Sequence, residues 1–109
     1  MDDDYLEAVL DLVGTIPAGR VMTYGSVGEV LRDRVGRGGP RQVGQVLARA
    51  GGGVPWWRVV NASGEPPARF RAEAVVRLAG EGCPLTSDDG GGRVVLRRAL
   101  WWPNAPGGS

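Results

Sequence analysis

The sequence predicts a mainly α-helical domain with a winged-helix-like helix-turn-helix and one short β element. Four segments have helical signals, which are apolar spacing or a capping sequence, and they are separated by glycine or proline breaks. The second and third are joined by a short connection, as in a helix-turn-helix. The β-prone stretches are only a few residues long. In this chain of 109 residues we expect one domain over residues 1–103 and a flexible tail over residues 104–109.

The first predicted helix covers residues 4–14 and ends at Gly14. Its apolar residues at positions i, i+3, i+4 and i+7 are Leu6, Val9, Leu10 and Val13. Pro17 and Gly19 then oppose a continuous helix, so we expect a turn followed by an extended segment over residues 21–24.

The second predicted helix begins at Ser26 and runs to about Asp33. Ser26 and Glu29 have the Ser-x-x-Glu spacing of a capping box, in which each side chain satisfies a free backbone N–H of the other residue. A loop rich in glycine and arginine follows over residues 34–39.

The third predicted helix, over residues 40–50, is the most clearly amphipathic segment. Pro40 suits the first position of a helix because the N–H of a residue at that position has no acceptor within the helix, so proline loses no hydrogen bond. One face is apolar and consists of Val43, Val46, Leu47 and Ala50. The other face is polar and consists of Gln42, Gln45 and Arg49. This pattern indicates a recognition helix that contacts DNA together with Arg37 of the preceding loop, although glutamine and arginine are also common on ordinary surface helices.

Beyond the third helix the signals are shorter. Residues 58–61 are β-prone, and a turn at Gly64 follows. A fourth helix is predicted over residues 69–80 and a short strand over residues 93–96. The side of the fourth helix that we expect to be packed consists of Phe70, Ala74, Leu78 and Ala79.

The charge of the chain is unevenly distributed. The formal net charge is only +1, but five acids lie within the first eleven residues. Residues 20–77 hold ten arginines and four acids, a local balance of +6. The middle of the chain therefore has the charge to face phosphate.

The absence of histidine and lysine excludes several kinds of chemistry. All 13 basic residues are arginine, and Cys83 is the single cysteine. A Ser-His-Asp or Cys-His arrangement, a histidine metal site, a Schiff-base lysine and an intramolecular disulfide are all excluded. We expect no metal and no cofactor. The composition and the N-terminal residues predict a soluble, cytoplasmic protein without a membrane span.

Three motifs carry a resemblance to a known family. In chain order they are Ile16-Pro17-x-Gly19-Arg20-Val21-x-Thr23-Tyr24-Gly25, Arg41-Gln42-Val43-Gly44-Gln45, and Pro55-Trp56-Trp57-Arg58-Val59-Val60 followed by Gly64. Over residues 5–103 the chain resembles the O6-alkylguanine-DNA alkyltransferases, whose active-site loop reads Pro-Cys-His-Arg-Val. Tryptophan replaces both the acceptor cysteine and the activating histidine. The chain is therefore most similar to the alkyltransferase-like proteins, which bind O6-alkylguanine without removing the lesion and pass it to nucleotide excision repair.

The resemblance implies a non-enzymatic, nucleoid-associated and monomeric DNA-damage sensor. Trp56 would offer an apolar surface in place of a thiolate, and Val75 would replace the glutamate of the family's proton relay. The implied lesion pocket consists of Trp56, Trp57, the backbone of Val59, and Arg69. Arg58 is interpreted as holding the loop internally.

The resemblance also implies a way of reaching the base. Tyr24 would crowd the phosphate beside the damaged nucleotide and help to rotate it out of the stack. Arg41 would enter the DNA duplex and fill the gap that the extruded base leaves. Extrusion suits this task because a duplex hides part of the O6 substituent.

Two other functions remain open at this stage. An alkyltransferase could use Cys83 as a displaced acceptor, although no histidine is available to activate it. A winged-helix transcription regulator would account for the helix-turn-helix and the 93–96 strand, but it would leave the tryptophan motif unexplained.

Overall fold

The computed structural model describes residues 3–87, 89 and 91–103. Its regular elements are α1 (Asp3–Gly14), β1 (Met22–Thr23), α2 (Tyr24–Val35), α3 (Pro40–Ala50), β2 (Val59–Val60), α4 (Arg71–Gly80) and α5 (Leu96–Ala99). Single 3₁₀ turns cover Gly51–Gly53, Trp56–Arg58 and Ala68–Phe70. The predicted mainly helical class is confirmed. The expected tail, residues 104–109, lies outside the described residues.

Helix α1 packs on the first core with a face slightly rotated from the predicted one. Its buried residues are Tyr5, Val9, Leu12 and Val13. Leu6 and Leu10 are only partly buried beside them. Acidic residues in the first turn, Asp3 and Asp4, suit the positive end of the helix dipole.

The start of α2 differs from the prediction. The helix begins at Tyr24, and Thr23 is its N-cap. Thr23 Oγ1 accepts from the Ser26 N–H at 2.9 Å, and Ser26 Oγ accepts from the Thr23 N–H at 2.9 Å. The predicted box between Ser26 and Glu29 is wrong because Ser26 is itself the third helical residue and closes the box backwards onto Thr23.

A close approach of two helices forms the helix-turn-helix. Helix α2 ends at Val35 and is capped by Gly36, whose φ of 79° is left-handed, and α3 begins at Pro40 as predicted. Gly28 of α2 faces the start of α3, where an added Cβ would lie 3.1 Å from the Gly39 carbonyl carbon. A larger residue at position 28 would therefore push the two helices apart.

The two strands divide the interior into two cores. They pair in parallel, with Met22 opposite Val59 and Thr23 opposite Val60. Met22 and Val59 belong to a first core under α1, α2 and α3. Val60 belongs to a second core with Val21, Leu78, Cys83, Val94 and Ala99. Because successive side chains of a strand point to opposite faces, one short sheet serves both cores.

The predicted fourth helix starts later than expected. Residues 68–70 form a 3₁₀ turn and α4 begins at Arg71. Phe70 is 49% exposed rather than packed, Ala79 is also exposed, and Val75 is buried beside Ala74 and Leu78. The turn follows Pro66-Pro67, which restricts the backbone at this point.

The predicted strand over residues 93–96 is wrong. Val94 makes one isolated antiparallel bridge with Leu85, and Leu96 already begins α5. The chain then turns back to β1, where the Val21 N–H donates to Ala99 O at 3.0 Å and the Trp101 N–H donates to Val21 O at 2.8 Å. A wing built on the 93–96 segment is therefore not formed.

Gly64 connects the tryptophan motif to the second core. Its φ is 85°, and its carbonyl accepts from the Val94 N–H at 2.8 Å. An added Cβ would overlap the Val94 carbonyl oxygen, so this position requires glycine.

The described residues contain neither a membrane-spanning helix nor a cluster of metal ligands. None of the helices there is long and apolar enough to cross a membrane. The same residues contain no cluster of three or more histidine, cysteine, aspartate or glutamate side chains able to hold a metal ion.

Candidate nucleic-acid interface

Helix α3 presents an exposed edge between two concave surfaces. Arg41, Gln45 and Ala48 lie along this edge at helical spacing and are exposed. The flank with Gly44 and Leu47 borders a pocket, and the opposite flank borders a groove. One helix can therefore contact an extended ligand along its edge while a protruding group enters the pocket.

The pocket has a volume of about 520 Å³. It is lined by Tyr24, Gly44, Leu47, Ala48, Gly51, Gly52, Trp56, Pro67, Arg69, Phe70 and Glu73. Glycine and alanine dominate the α3 side, which leaves the space open, whereas the aromatic side chains supply flat apolar walls.

Two aromatic rings form a corner of the pocket. The centroids of Trp56 and Phe70 are 5.7 Å apart and their planes are tilted by 60°. The Arg69 guanidinium lies 5.6 Å from the Phe70 centroid. A planar aromatic ligand would meet ring faces and a delocalised cation here, a combination that suits a purine.

Tyr24 and Arg41 occupy different positions relative to the pocket. Tyr24 is the first residue of α2 and contributes to the pocket wall. Burial raises the pKa of its phenol, so the group stays neutral at pH 7. Arg41 lies in the first turn of α3 and is exposed, outside the set of residues that line the pocket.

The groove on the other flank collects the predicted DNA-contacting residues. It has a volume of about 490 Å³ and is lined by Tyr5, Arg37, Gly38, Gln42, Gln45, Val46 and Arg49. All four predicted residues, Arg37, Gln42, Gln45 and Arg49, are among them. Guanidinium and amide groups are donors to phosphate oxygens.

Two residues of the predicted lesion pocket, Trp57 and Val59, are not among the residues that line it. The hydrogen bond expected from the Val59 backbone to guanine stays a prediction. The Trp57 ring stands edge-on to Trp56, with centroids 5.8 Å apart and planes at 86°. Val59 is fully buried in β2, and its N–H donates to the Trp56 carbonyl. Trp57 points away from the pocket because its indole N–H donates to Glu81 Oε2 at 3.0 Å.

Glu81 is the principal residue that the sequence analysis missed. Its Oε1 accepts from the Gly19 N–H at 3.2 Å and from Arg58 Nε at 3.0 Å. Its Oε2 forms an ion pair with Arg58 Nη2, and Arg58 Nη1 also donates to Ile16 O at 2.8 Å. The interpretation that Arg58 holds the loop internally is confirmed. Only Glu81's place just after a helix was visible in the sequence, which does not reveal a partner 23 residues away.

Opposing effects act on the Glu81 carboxyl. Burial raises its pKa, but the hydrogen bonds from Arg58, Gly19 and Trp57 outweigh burial and hold the pKa below its ordinary value. The charged form is therefore the one that stabilises the fold.

Cys83 and Val75 lie in the interior. Cys83 is buried in the second core, outside the pocket lining, and its Sγ is 3.9 Å from the Pro84 carbonyl oxygen. Burial, with a further contribution from Glu81, raises the pKa of its thiol to about 11. Very little thiolate is present at neutral pH. Val75 is completely buried.

Comparison with known proteins adds independent information. The family model "6-O-methylguanine DNA methyltransferase, DNA binding domain" matches residues 4–80. A DNA base-flipping protein of Escherichia coli is 34% identical over 110 residues, which covers 92% of this chain and 76% of that protein. A DNA base-flipping protein of Vibrio parahaemolyticus is 29% identical over 105 residues, covering 93% and 99%.

A solved structure is similar over nearly the whole chain. S. pombe Atl1, in complex with damaged DNA containing O6-carboxymethylguanine, superposes with a TM-score of 0.75 at 29% identity. The similarity covers 94% of this chain and 99% of that one.

The network around Glu81 predicts a pH-dependent effect of its removal. Because the folded-state pKa is depressed, the stability from Glu81 is fully present above its unfolded pKa, about 4.3, and is lost as the pH falls through the folded value. Glu81→Gln should be less stable than the wild-type protein at pH 7 by about 1–3 kcal/mol. The difference should shrink at pH 3.

Urea unfolding at both pH values would measure this difference. Glu29→Gln is the control, since Glu29 is exposed on α2 and its change should stay within about 0.5 kcal/mol at either pH. A Glu81→Gln effect of the same size at pH 7 and pH 3 would mean that the carboxylate charge is not its source.

Proposed function

Because this chain belongs to the alkyltransferase-like proteins of the 6-O-methylguanine DNA methyltransferase family, we propose that it binds O6-alkylguanine in duplex DNA by nucleotide flipping and does not remove the alkyl group. The observation that carries this proposal is the pocket beside α3. Its wall contains Trp56, which the sequence resemblance aligns with the acceptor cysteine of the family. The relatives named as base-flipping proteins and the complex of Atl1 with damaged DNA support it.

The pocket suits an extruded base better than a base inside the stack. At about 520 Å³ it can hold a purine with a substituent. Trp56 and Phe70 would replace the stacking that the base loses when it leaves the helix. Unstacking costs a few kcal/mol, and less for a poorly paired base, so an O6-alkylated guanine is extruded more readily than guanine.

Three side chains have specific roles in this proposal. Arg69, which lies at the pocket, places its guanidinium against the flipped purine. Tyr24, in the pocket wall, crowds the adjacent phosphate and assists rotation. Arg41, exposed at the start of α3, enters the helix and fills the vacated space. Its position outside the pocket suits a residue that replaces the base rather than holds it.

The groove on the opposite flank of α3 would bind the DNA backbone. Arg37 and Arg49 would contact phosphate, and Gln42 and Gln45 would donate to phosphate or sugar oxygens. Contacts to phosphate and sugar do not depend on the identity of the bases. They therefore suit a protein that binds a damaged base in any sequence. The resemblance to the family implies docking of α3 in the minor groove, whose pattern of donors and acceptors is degenerate.

The absence of alkyl transfer in this proposal is supported by the position of Cys83. An acceptor must be a thiolate in contact with the alkyl carbon. Cys83 is buried in the second core, its thiol pKa is raised to about 11, and the chain has no histidine to activate it. The indole of Trp56 offers surface for the alkyl group but is not an acceptor at neutral pH.

Persistent binding without repair requires a further step. We propose that the complex, formed by one copy of the chain at the nucleoid in the cytoplasm, directs the lesion to nucleotide excision repair. This follows from the chemistry of a sensor, since a lesion that is held and not repaired must be removed by another activity.

Duplexes with and without a lesion test the proposal. The wild-type protein should bind a duplex with one O6-methylguanine at least about tenfold more tightly than the matched guanine duplex, because stacking a base on aromatic side chains contributes about 1–3 kcal/mol. The intact mass of the protein recovered from the lesion complex should be unchanged. Fluorescence anisotropy and mass spectrometry measure the two quantities.

Two variants make the result specific to the pocket. Trp56→Ala should lose the lesion preference, whereas Trp102→Ala, which removes a tryptophan that is 40% exposed and outside the pocket lining, should keep it. A mass gain of one methyl would identify an alkyl transfer. Equal affinity of the wild-type protein for both duplexes would reject the proposal.

Arg41 and Arg49 should affect binding in different ways. Arg41→Ala should reduce the lesion preference and leave the salt dependence of guanine-duplex binding nearly unchanged, because its proposed role begins when a base is extruded. Arg49→Ala should weaken binding to both duplexes alike and reduce the salt slope by about 1, as expected for a phosphate contact. Binding measured from 50 to 200 mM salt separates the two effects, and an unchanged lesion preference in Arg41→Ala would contradict the finger role.

The link to excision repair can be tested in cells. Deleting the gene should increase killing by an alkylating agent in a strain proficient in nucleotide excision repair. The same deletion should add no further sensitivity when excision repair is already absent, since both act in one route. Additive sensitivity in the double mutant would place the protein outside that route.

A further inference from the structure

The ring of Trp56 is held by packing rather than by a hydrogen bond of its own. Among the described residues, no hydrogen bond to its indole N–H is found, and the aromatic rings beside it are those of Trp57 and Phe70. Phe70 lies on a single 3₁₀ turn and is 49% exposed. Of these two rings, Trp57 is the one that a side-chain hydrogen bond holds in place.

Trp57, by contrast, is fixed on several sides. Its N–H donates to Glu81 Oε2 at 3.0 Å. The Arg77 guanidinium lies 4.5 Å from its ring centroid and the Arg58 guanidinium lies 5.5 Å from it. Glu81 is itself held by Arg58 and by the backbone of Gly19. A rotation of the Trp57 ring would break the hydrogen bond and displace both cations.

We infer that Trp57 is a positioning residue for lesion selectivity, which fixes the ring of Trp56 edge-on so that the pocket wall is formed before a base enters. This inference rests on the proposed function. Trp57 does not line the pocket and has no contact with the lesion in this account. It acts by preorganisation, because a wall that is already ordered loses less conformational entropy on binding.

A second connection runs from Trp57 to the pocket mouth. Arg77, which lies over the Trp57 ring, also pairs with Glu73 through Nε and Oε2 at 3.1 Å. Glu73 lines the pocket. The pair is exposed and contributes little by itself. Loss of the Trp57 ring would nevertheless remove the surface on which Arg77 rests, so both the wall and the mouth would lose order.

A positioning role of Trp57 predicts a loss of lesion selectivity, which a general loss of fold stability would not cause. Trp57→Ala should reduce the ratio of affinities for O6-methylguanine and guanine duplexes by about tenfold, since the extruded base would stack on a less ordered Trp56 ring. Affinity for the guanine duplex should stay within about twofold, because α3 and the groove are unchanged. Trp57→Phe, which keeps a ring but loses the hydrogen bond to Glu81, should give an intermediate ratio.

Val9→Ala is the matched control for stability. Val9 is completely buried in the first core and outside the pocket lining, so its truncation weakens the fold without touching Trp57. Its affinity ratio should remain that of the wild-type protein. A wild-type ratio in folded Trp57→Ala, or equal weakening on both duplexes, would overturn the positioning role.

A spectroscopic measurement tests the role without DNA. In protein labelled with 5-fluorotryptophan, the Trp56 resonance, assigned with Trp56→Phe, should be a single sharp ¹⁹F signal. In Trp57→Phe it should shift and broaden, whereas the Trp102 signal should not change. An unaltered Trp56 signal would overturn the inference even if lesion binding proved absent. Failure of the wild-type protein to prefer the lesion would reject the proposed function instead.

Discussion

The ion pair between Arg58 and Glu81 is the interaction on which the arrangement of this chain most depends. It joins the turn after α1, the turn that carries both tryptophans and the end of α4, through bonds to Ile16 O and to the Gly19 N–H. These segments are far apart in sequence, and apolar burial is non-directional, so burial alone does not specify their relative orientation. A charged network of this kind is costly to leave incomplete, so it selects one arrangement. In the turn that carries both tryptophans, Trp57 and Arg58 are bonded to Glu81, whereas Trp56 lines the pocket.

Helix α3 is the second organising element, because it serves two surfaces at once. Gly28 and the left-handed Gly36 bring it close to α2, which leaves its polar edge exposed. Small residues on one flank open the pocket, and polar residues on the other flank line the groove. In the proposed function the two surfaces make different contributions to binding. The groove supplies affinity for any duplex, whereas the pocket distinguishes a damaged base.

Local signals in the sequence predicted the helices well and the details of the site less well. Periodicity and Pro40 predicted the observed bounds of α3. Tyr24, Trp56 and Arg69, to which the resemblance gave roles in lesion binding, line one pocket. The capping box was predicted three residues too late in the chain. Ser26-x-x-Glu29 and Thr23-x-x-Ser26 both have capping residues at the required spacing, and the structure uses the second pair. The orientation of Trp57 depends on Glu81, a partner 24 residues away, which no local pattern reveals. Phe70 was expected in the core because its spacing fits α4, but the two prolines before it delay the helix and leave the ring at the pocket.

In the proposed function a base leaves the duplex and enters the pocket beside Trp56. The structure of the complex with a duplex containing one O6-methylguanine would test this most directly. We predict that the modified purine lies outside the stack, in van der Waals contact with the Trp56 and Phe70 rings at about 3.5–4.0 Å, with Arg41 in the gap it leaves. A bound duplex in which O6-methylguanine remains stacked opposite its partner, with the pocket unfilled, would contradict base extrusion.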